Sequence, residues 1–437
     1  MDEKVEAQRL LREWKKESYV FGLEVLNKVG EVAKTFGNNA LLVGSNSKWA
    51  QKPMREVSES LRKTGISFTT VLGARPNCPR EDLYRITFQV ARFKPNSIIA
   101  FGGGSTIDAV KAASFLAIFE PSEISKVLNV DWSVAGSIDP FFGTGNVTKM
   151  KIATNKDVIP VIAVQAASSS AAHLTKYSNI TDPVLGQKKL IVDDAITPKK
   201  AFFDYGVTVG SPENLTLDGA MDGIAHCWEV FMGATGKDYF EKSKMIASLG
   251  IKLILKNLRA ALKDDIEARV ALGLGTDLGG YSIMIGGTSG PHLGSFSLVD
   301  VLSHGRACAV LNPYFTIFFS SNIQEQLRIL GVIFQEAGLI AKNLDLEGFE
   351  GRALGEIVAK AMIDFNRSFG FPTTLKEAGA TTSHIKRMLE AAKDSQLKMK
   401  LQNMPTPLDV DKGDIDKYMK SILKAAYDGN FKKIKIK

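Results

Sequence analysis

The chain has 437 residues, of which 45% are hydrophobic and 23% charged, and its formal net charge is +8. These values exclude a disordered or fibrous chain, and the length exceeds one ordinary core, so two domains are expected. The basic excess is spread along the sequence without an arginine-rich helix or aromatic ladder, which argues against nucleic-acid binding. It is compatible with an anionic ligand such as a phosphorylated cofactor.

Cysteine usage and apolar runs indicate the compartment. The three cysteines are far apart and show neither a disulfide framework nor a CxxC zinc pattern. The charged N-terminus has no apolar signal core, and no apolar run reaches the roughly 18 residues of a membrane span. We therefore expect a cytoplasmic protein with no membrane partner.

The first half of the chain alternates between helical patterns and short apolar strands. Helical periodicity covers residues 1–17, 23–36, 52–64 and 81–93. Strands are predicted at 40–44, 67–72, 97–101, 158–164 and 201–204. This alternation predicts a doubly wound α/β domain with a parallel sheet.

Long helical periodicities replace the strands after about residue 211. They cover residues 215–233, 239–262, 267–285, 299–319, 323–337, 354–368, 384–394 and 415–427. We therefore predict an α/β domain over residues 1–208 and an all-helical domain over residues 209–437.

A glycine-rich turn, Gly102-Gly103-Gly104-Ser105, joins the strand at 97–101 to a predicted helix. Glycines let the backbone approach a phosphate, and the free N–H groups at a helix N-terminus favour an anion. A pyrophosphate is therefore the expected ligand. The alternative is an ordinary turn, since the GxGxxG fingerprint is absent.

Asp222 and His226 lie four residues apart within one predicted helix. Side chains at this spacing share a helical face, where a carboxylate and an imidazole can hold one metal ion. The alternative is a simple Asp–His hydrogen bond or capping pair.

Two further histidines, His292 and His304, follow within about 80 residues of His226. A single buried histidine is more often a satisfied core residue than a ligand. The chain has only five histidines, however, and three of them gather in this helical region. One Asp and three His would form a closed or nearly closed divalent-metal site.

A small-residue stretch, residues 165–172, follows the strand at 158–164 and contains Ser168, Ser169 and Ser170. Its hydroxyl groups could line a second wall of a cofactor cleft. A plain small-residue loop is the alternative.

In the order and spacing of these motifs, the chain resembles the iron-containing alcohol dehydrogenase family, within a superfamily that also holds glycerol dehydrogenases and dehydroquinate synthases. The feature most specific to this family is the order of its motifs along the chain. The glycine turn with Asp108 comes first, followed by Asp222-x-x-x-His226, His292 and His304-Gly305. The resemblance implies a dinucleotide-binding α/β domain, an all-helical domain and an active site in the cleft between them.

The resemblance also implies roles for individual residues. Asp222, His226, His292 and His304 match the four metal ligands, and the metal would be Fe²⁺ or Zn²⁺. The residues that match cofactor contacts are Gly44, Ser45, Asn46, Gly103, Gly104, Ser105, Asp108, Ser168, Ser169, Ser170 and Lys189. Asp108 would lie near the nicotinamide end, and Lys188 is the alternative to Lys189.

The sequence departs from the family pattern in two places. His173 stands where the family commonly has Glu, which puts the serine-loop contacts in doubt. Many members carry a proton-relay His four residues after the third ligand. Counting from His292 gives Phe296 there, and an alignment with the third ligand at Ser295 gives Val299. Neither alignment places a histidine at the relay position, so the resemblance supplies no imidazole for the proton route.

The residues after the first strand indicate the cofactor. NAD-preferring members often have an Asp there, which would repel a 2′-phosphate, whereas this chain has Ser45, Asn46 and Lys48. NADP(H) is therefore favoured over NAD(H). We expect a homo-oligomeric alcohol dehydrogenase or aldehyde reductase. A glycerol- or polyol-phosphate-type dehydrogenase and a dehydroquinate synthase-like lyase are alternatives.

Overall fold

The computed structural model describes residues 2–45, 47–130 and 138–437. Six strands form one parallel sheet in the order β1-β9-β6-β4-β2-β3. They are β1 Tyr19–Gly22, β2 Asn39–Gly44, β3 Ser67–Leu72, β4 Ser97–Gly102, β6 Val161–Gln165 and β9 Lys200–Asp204. The predicted doubly wound sheet is thus confirmed.

Strand β4 lies centrally in this sheet, and all six of its residues are buried. Such continuous burial is typical of a parallel strand covered on both faces. From β2 the chain moves outward to β3 and then returns to place β4 on the other side of β2. This reversal is the topological switch point at which open α/β sheets bind ligands, beyond the carboxyl ends of the strands.

A second, three-stranded sheet has the order β5-β8-β7. Its strands are β5 Gly143–Thr144, β7 Tyr177–Asp182 and β8 Gln187–Val192. Strands β7 and β8 pair antiparallel, and Ile180 stands opposite Lys189. The sequence patterns did not predict these three strands, nor β1. Strands β7 and β8 mix polar with apolar residues, and β1 and β5 have only four and two residues.

Seven α-helices precede β6 within the described residues. They are α1 Glu3–Lys15, α2 Val29–Lys34, α3 Gln51–Lys63, α4 Arg80–Phe93, α5 Gly104–Leu116, α6 Pro121–Leu128 and α7 Asn146–Thr154. Helix α5 packs against β4 and β7, and nearly all of its residues from Thr106 to Phe115 are buried. The helix that follows the glycine turn is therefore fixed in the core of this unit.

Ten helices follow β9, and no strand follows it among the described residues. The first five are α8 Glu213–Gly233, α9 Phe240–Ala261, α10 Ile266–Ile285, α11 Gly290–Ser295 and α12 His304–Phe319. The remaining five are α13 Gln324–Glu336, α14 Gly351–Arg367, α15 Thr382–Lys393, α16 Lys398–Gln402 and α17 Lys420–Asp428. The predicted all-helical second half is confirmed.

The chain forms two compact units. The helical unit comprises Met1–Gln8, Asn214–Leu262 and Leu274–Lys437, and the α/β unit comprises Arg9–Glu213 and Lys263–Gly273. The division into domains at residue 208 stays a prediction. In the described part of the chain, no helix has both the length and the apolar character needed to cross a membrane.

Candidate functional site

Helix α8 presents Asp222 and His226 on one face. Both side chains are buried, and His226 Nε2 lies 3.6 Å from Asp222 Oδ1. Gly223 and Gly279 let the neighbouring helix α10 come close, since a Cβ on Gly279 would lie 3.2 Å from the Cβ of His226. The pair is therefore held in a tightly packed part of the helical unit.

His292 lies on a separate short helix, α11, beyond the end of α10. Helix α10 ends at Ile285, and Gly287 has a positive φ of 71°, which a glycine adopts without strain. Pro291 then begins the new helix α11, where its missing N–H costs nothing. This break redirects the chain so that His292 is buried.

The three histidines converge on one carboxylate oxygen. Asp222 Oδ1 lies 3.5 Å from the Nε2 atoms of both His292 and His304, in addition to its 3.6 Å distance from His226. The rings of His226 and His292 stack with their centroids 4.9 Å apart. Each of the three histidines suggested by the sequence thus has a ring nitrogen within 3.6 Å of the Asp222 carboxylate, and the donor atoms of Asp222, His292 and His304 also lie within 4.8 Å of one another.

The residues at this point fit a divalent metal ion. Asp222 Oδ1 and His292 Nε2 are buried and have no hydrogen-bond partner among the described residues, although buried polar atoms are usually satisfied. Donors about 2.0–2.2 Å from one ion at tetrahedral angles would lie about 3.4 Å apart. The observed separations of 3.5 and 3.6 Å match that spacing. One carboxylate and three imidazoles are the ligands of zinc and iron(II) sites.

Two residues that the sequence reasoning missed orient the ligands. The buried Glu229 lies one turn beyond His226 on α8, and its Oε1 is 2.6 Å from His292 Nδ1. Its Oε2 accepts a hydrogen bond from the backbone N–H of Ser289 at 2.8 Å. Ser295 Oγ lies 3.1 Å from His304 Nδ1. Such partners leave Nε2 as the metal-facing nitrogen. Glu229 lies at i+3 from His226, and this spacing in the sequence could have identified it as a residue on the same helical face.

A third missed residue is Cys308, one helical turn after His304 on α12. One donor atom each from Asp222, His292, His304 and Cys308 lie within 4.8 Å of one another. The Cys308 thiol is fully buried, and burial raises its pKa.

The electrostatics of the cluster follow from its burial. Burial opposes the charge on Asp222, but the nearby imidazoles outweigh it and hold the pKa of the carboxyl far below its ordinary value. Burial lowers the pKa of His226 to about 4, so this imidazole is neutral near pH 7 and keeps the lone pair that a metal needs. Burial also opposes ionisation of Glu229, yet the His292 imidazole lowers the pKa of this carboxyl overall.

The other two histidines have structural partners. His173 Nε2 lies 3.2 Å from the Tyr19 hydroxyl, and its ring packs edge-on against Phe203. His384 forms a capping box with Thr381 at the start of α15. Neither is among the candidate ligands.

The glycine turn lies at the carboxyl end of β4, next to the switch point. Gly103 is the N-cap of α5 and, having no side chain, makes no side-chain cap. The serine loop runs alongside, because the N–H of Ala166 donates to the carbonyl of Gly102 at 3.0 Å. A Cβ on Gly104 would lie only 2.5 Å from Ser170 Oγ. The structure thus brings the two sequence motifs together.

Several hydroxyl groups of this loop are available to a ligand. Ser168 Oγ and Ser170 Oγ are buried and have no hydrogen-bond partner in the described part of the chain. Ser169 Oγ makes only long contacts, at 3.4 and 3.5 Å, with Gln165 Nε2 and the Ala167 carbonyl. Together with the open N-terminus of α5, these groups suit the oxygens of a pyrophosphate.

Four further residues match cofactor contacts by sequence. Gly44 and Ser45 lie at the carboxyl end of β2, and Ser45 Oγ accepts a hydrogen bond from the Ser47 N–H at 3.1 Å. Asn46 lies outside the described residues. Asp108 accepts hydrogen bonds from the backbone and side chain of Asn179, at 3.0 and 3.3 Å, and lies 3.9 Å from Lys111.

The two candidate lysines of β8 have different surroundings. The Lys189 ammonium lies 3.7 Å from Asp139 and above the ring of Phe142. Lys188 is buried, and its positive charge lowers the pKa of Asp108, although burial raises that pKa overall. Of the two lysines of β8, Lys188 is therefore the one whose charge acts on Asp108, in addition to the stronger effect of Lys111.

Family models match almost the whole chain. Residues 16–205 match the iron-containing alcohol dehydrogenase model, and residues 216–427 match the model of the C-terminal part of the same family.

Individual relatives agree with these matches. The NAD-dependent methanol dehydrogenase of Bacillus methanolicus is 25% identical over 380 residues, which are 85% of this chain and 91% of that protein. The NADPH-dependent butanol dehydrogenase of Clostridium saccharobutylicum is 26% identical over 81% of this chain and 84% of its own length. The crystal structure of NADH-dependent butanol dehydrogenase A from Thermotoga maritima shares the fold, with a TM-score of 0.74 and 22% identity over 94% of this chain and 96% of that one. This chain therefore belongs to the iron-containing alcohol dehydrogenase family.

Proposed function

We propose that this protein is a metal-dependent alcohol dehydrogenase or aldehyde reductase that transfers a hydride between NADP(H) and an alcohol or carbonyl carbon. The observation that carries the proposal is the placement of three imidazole nitrogens within 3.5–3.6 Å of one buried carboxylate oxygen. A divalent ion bound there would act as a Lewis acid on the substrate oxygen.

In this proposal Asp222, His226, His292 and His304 hold the metal, and the chain fixes their protonation. Glu229 would accept a hydrogen bond from Nδ1–H of His292, which would leave Nε2, 3.5 Å from Asp222 Oδ1, as the nitrogen that binds the metal. Ser295 contacts Nδ1 of His304 in the same way. Iron(II) is the metal the family name implies, and zinc suits the same ligands.

The cofactor proposal rests on the turn at the end of β4. Gly103, Gly104 and Ser105 would bind the pyrophosphate through the first N–H groups of α5, and Ser168 to Ser170 would add hydroxyl donors. Of the two lysines, Lys188 is better placed than Lys189 to act beside Asp108, since its charge already affects that carboxyl.

Preference for the phosphorylated cofactor rests on the residues after β2. Ser45 can donate a hydrogen bond to a 2′-phosphate, and the exposed Lys48 would add a positive charge. A carboxylate at this turn would repel the same phosphate. The relatives include both NAD- and NADPH-dependent enzymes, so the proposed preference for NADP(H) rests on the turn after β2 alone.

The proton released from the alcohol needs a route other than an imidazole near the third ligand. Phe296 and Val299 cannot carry a proton, and Phe296 packs 6.0 Å from the His304 ring. We therefore propose that water or a ribose hydroxyl carries it.

The lyase alternative would require several free basic side chains around a multifunctional acid. Arg306, the basic residue next to the ligand cluster in sequence, donates to Asp218 at 3.0 Å and to Asn214 at 3.1 Å, and its guanidinium lies above the Phe371 ring. Its charge is already used within the helical unit, which disfavours that alternative.

The compartment and the assembly are also proposals. Cys78, Cys227 and Cys308 are all free and buried, which suits a reducing cytoplasm. Homo-oligomerisation stays a prediction.

The proposal is tested by anaerobic oxidation of NADPH and NADH with a panel of short aldehydes and ketones, after loading the protein with iron(II) or zinc. We expect metal-dependent turnover that is faster with NADPH. Faster turnover with NADH would still support an alcohol dehydrogenase or aldehyde reductase, but it would contradict the proposed preference for NADP(H). No turnover with any carbonyl, despite bound metal and cofactor, would reject the reductase.

The metal assignment has its own variant. His226→Ala should lose bound metal and activity together, whereas His384→Ala, which alters a histidine outside the cluster, should keep both. Activity that survives in His226→Ala without metal would overturn the role given to the four ligands.

A further inference from the structure

A thiol lies among the candidate metal ligands. Cys308 follows His304 by four residues on α12, so the two side chains share one helical face. Its Sγ is one of the four donor atoms, with those of Asp222, His292 and His304, that lie within 4.8 Å of one another. The thiol is fully buried, so it faces these groups and not solvent.

The groups around the thiol indicate a ligand between them. Asp222 Oδ1 and His292 Nε2 are buried, lack hydrogen-bond partners among the described residues and belong to this same set. Cys227, one residue after His226, provides a contrast within the same unit, because its Sγ contacts Ser282 Oγ at 4.0 Å. The two buried cysteines thus differ in what they face.

Binding to a metal would convert the Cys308 thiol to a thiolate, because a cysteine ligand coordinates in its deprotonated form and its proton is released to solvent.

We propose that Cys308 is a fifth protein ligand of the metal in the substrate-free enzyme, which makes the centre a mixed carboxylate, imidazole and thiolate site. This inference rests on the proposed metal centre. Thiolate is a soft ligand that favours zinc over magnesium or manganese. The substrate oxygen would therefore bind a metal ion that already has a sulfur ligand.

The test is X-ray absorption at the zinc edge on the full-length protein loaded with zinc alone. The wild type should show a sulfur shell at about 2.3 Å beside nitrogen and oxygen at about 2.0–2.2 Å. Cys308→Ser should lose the sulfur shell, and Cys227→Ser should keep it. The wild-type spectrum decides the question even if Cys308→Ser does not fold.

The possible outcomes distinguish failure of the Cys308 assignment from failure of the proposed metal centre. Bound zinc with nitrogen and oxygen neighbours but no sulfur in the wild type would overturn the role of Cys308 and leave the four-ligand centre intact. A sulfur shell that persists in Cys308→Ser would also overturn it. Failure of the wild type to bind zinc or iron(II) would overturn the metal centre together with this inference.

Discussion

Asp222 is the residue on which the candidate metal centre depends. Its Oδ1 is the one atom that lies 3.5–3.6 Å from all three imidazole nitrogens. Because Asp222 and His226 lie one turn apart on a helix, their separation is fixed by backbone geometry. His292 lies on a different helix, so its ring orientation depends on contacts with other elements, among them the 2.6 Å contact of Nδ1 with Glu229 and the stacking on His226.

Glu229→Gln tests this hydrogen bond. The substitution preserves size but replaces the charged acceptor of His292 Nδ1 by a neutral amide, which can also present a donor to the ring. Loss of such an outer partner typically costs about 10–100-fold in metal affinity. We expect a decrease of that order in zinc affinity, measured by competition with a chromophoric chelator.

Glu325→Gln is the matched control, because Glu325 forms a surface ion pair with Lys244. It should bind zinc as the wild type does. Equal zinc affinity in Glu229→Gln would show that the carboxylate does not position His292.

Ser45→Asp tests the cofactor preference. A carboxylate about 4 Å from a 2′-phosphate costs ~1 kcal/mol in water and more near a protein surface. Because 1.4 kcal/mol corresponds to a factor of ten, the ratio of kcat/KM for NADPH to that for NADH should fall by about tenfold or more.

Ser58→Asp is the control, since it adds the same charge on α3, where Ser58 Oγ bonds the Met54 carbonyl. It should leave the ratio near the wild-type value. An unchanged ratio in Ser45→Asp would mean that the turn after β2 does not face the ribose phosphate.

At the scale of elements, the close approach of α8 and α12 sets the ligand geometry. Gly305, next to His304, faces the first turns of α8. A Cβ at Gly305 would overlap the backbone carbonyl oxygen of Asp218 and lie 3.2 Å from the Cβ of Asp222. Only a residue without a side chain allows His304 and Asp222 to come together here.

Gly305→Ala should therefore force the two helices apart. Overpacking of this kind costs about 1–3 kcal/mol, and the displacement should also weaken zinc binding. The free energy of unfolding in urea and the zinc affinity measure the two effects.

Gly348→Ala is the control, because the nearest atom to a Cβ there is 3.5 Å away, at ordinary contact distance. It should leave both quantities near their wild-type values. Wild-type stability and zinc affinity in Gly305→Ala would contradict the close helix contact.

At the scale of the whole molecule, the buried Lys111 links stability to pH. It is fully buried, and its ammonium donates to the carbonyl groups of Thr175 and Tyr177, both at 2.8 Å. Burial lowers the pKa of Lys111 from 10.5 to about 8, although Asp108 opposes the shift. Between these two pH values the unfolded chain keeps a proton that the folded chain has lost. The unfolded state thus binds more protons, so this group makes the free energy of unfolding rise with pH.

Lys111→Met should remove that contribution. The stability of the wild type relative to Lys111→Met should rise by roughly 3 kcal/mol between pH 8 and pH 10.5. Urea unfolding of both proteins across this range measures the difference. Lys52→Met, at a side chain that is 83% exposed, should follow the wild type at every pH. A constant difference between wild type and Lys111→Met would show that Lys111 keeps its proton when buried.

The sequence by itself determined the features that one element contains. The strands at 40–44 and 67–72 were placed within a residue, because both signals are local: an apolar run in the first, and β-branched and aromatic residues in the second. Asp222 and His226 could be paired because a helix fixes their relation without help from other elements. The glycine turn could be recognised for the same reason, because all of its residues lie in one short segment.

Tertiary structure alone decided what distant segments do together. It placed His292 on its own short helix, turned Glu229 towards it and brought Cys308 to the ligand cluster. It also set the strand order and placed β7 beside α5. Periodicity reports only which face of an element is buried. Which elements meet across that face is fixed by packing between residues far apart in the chain.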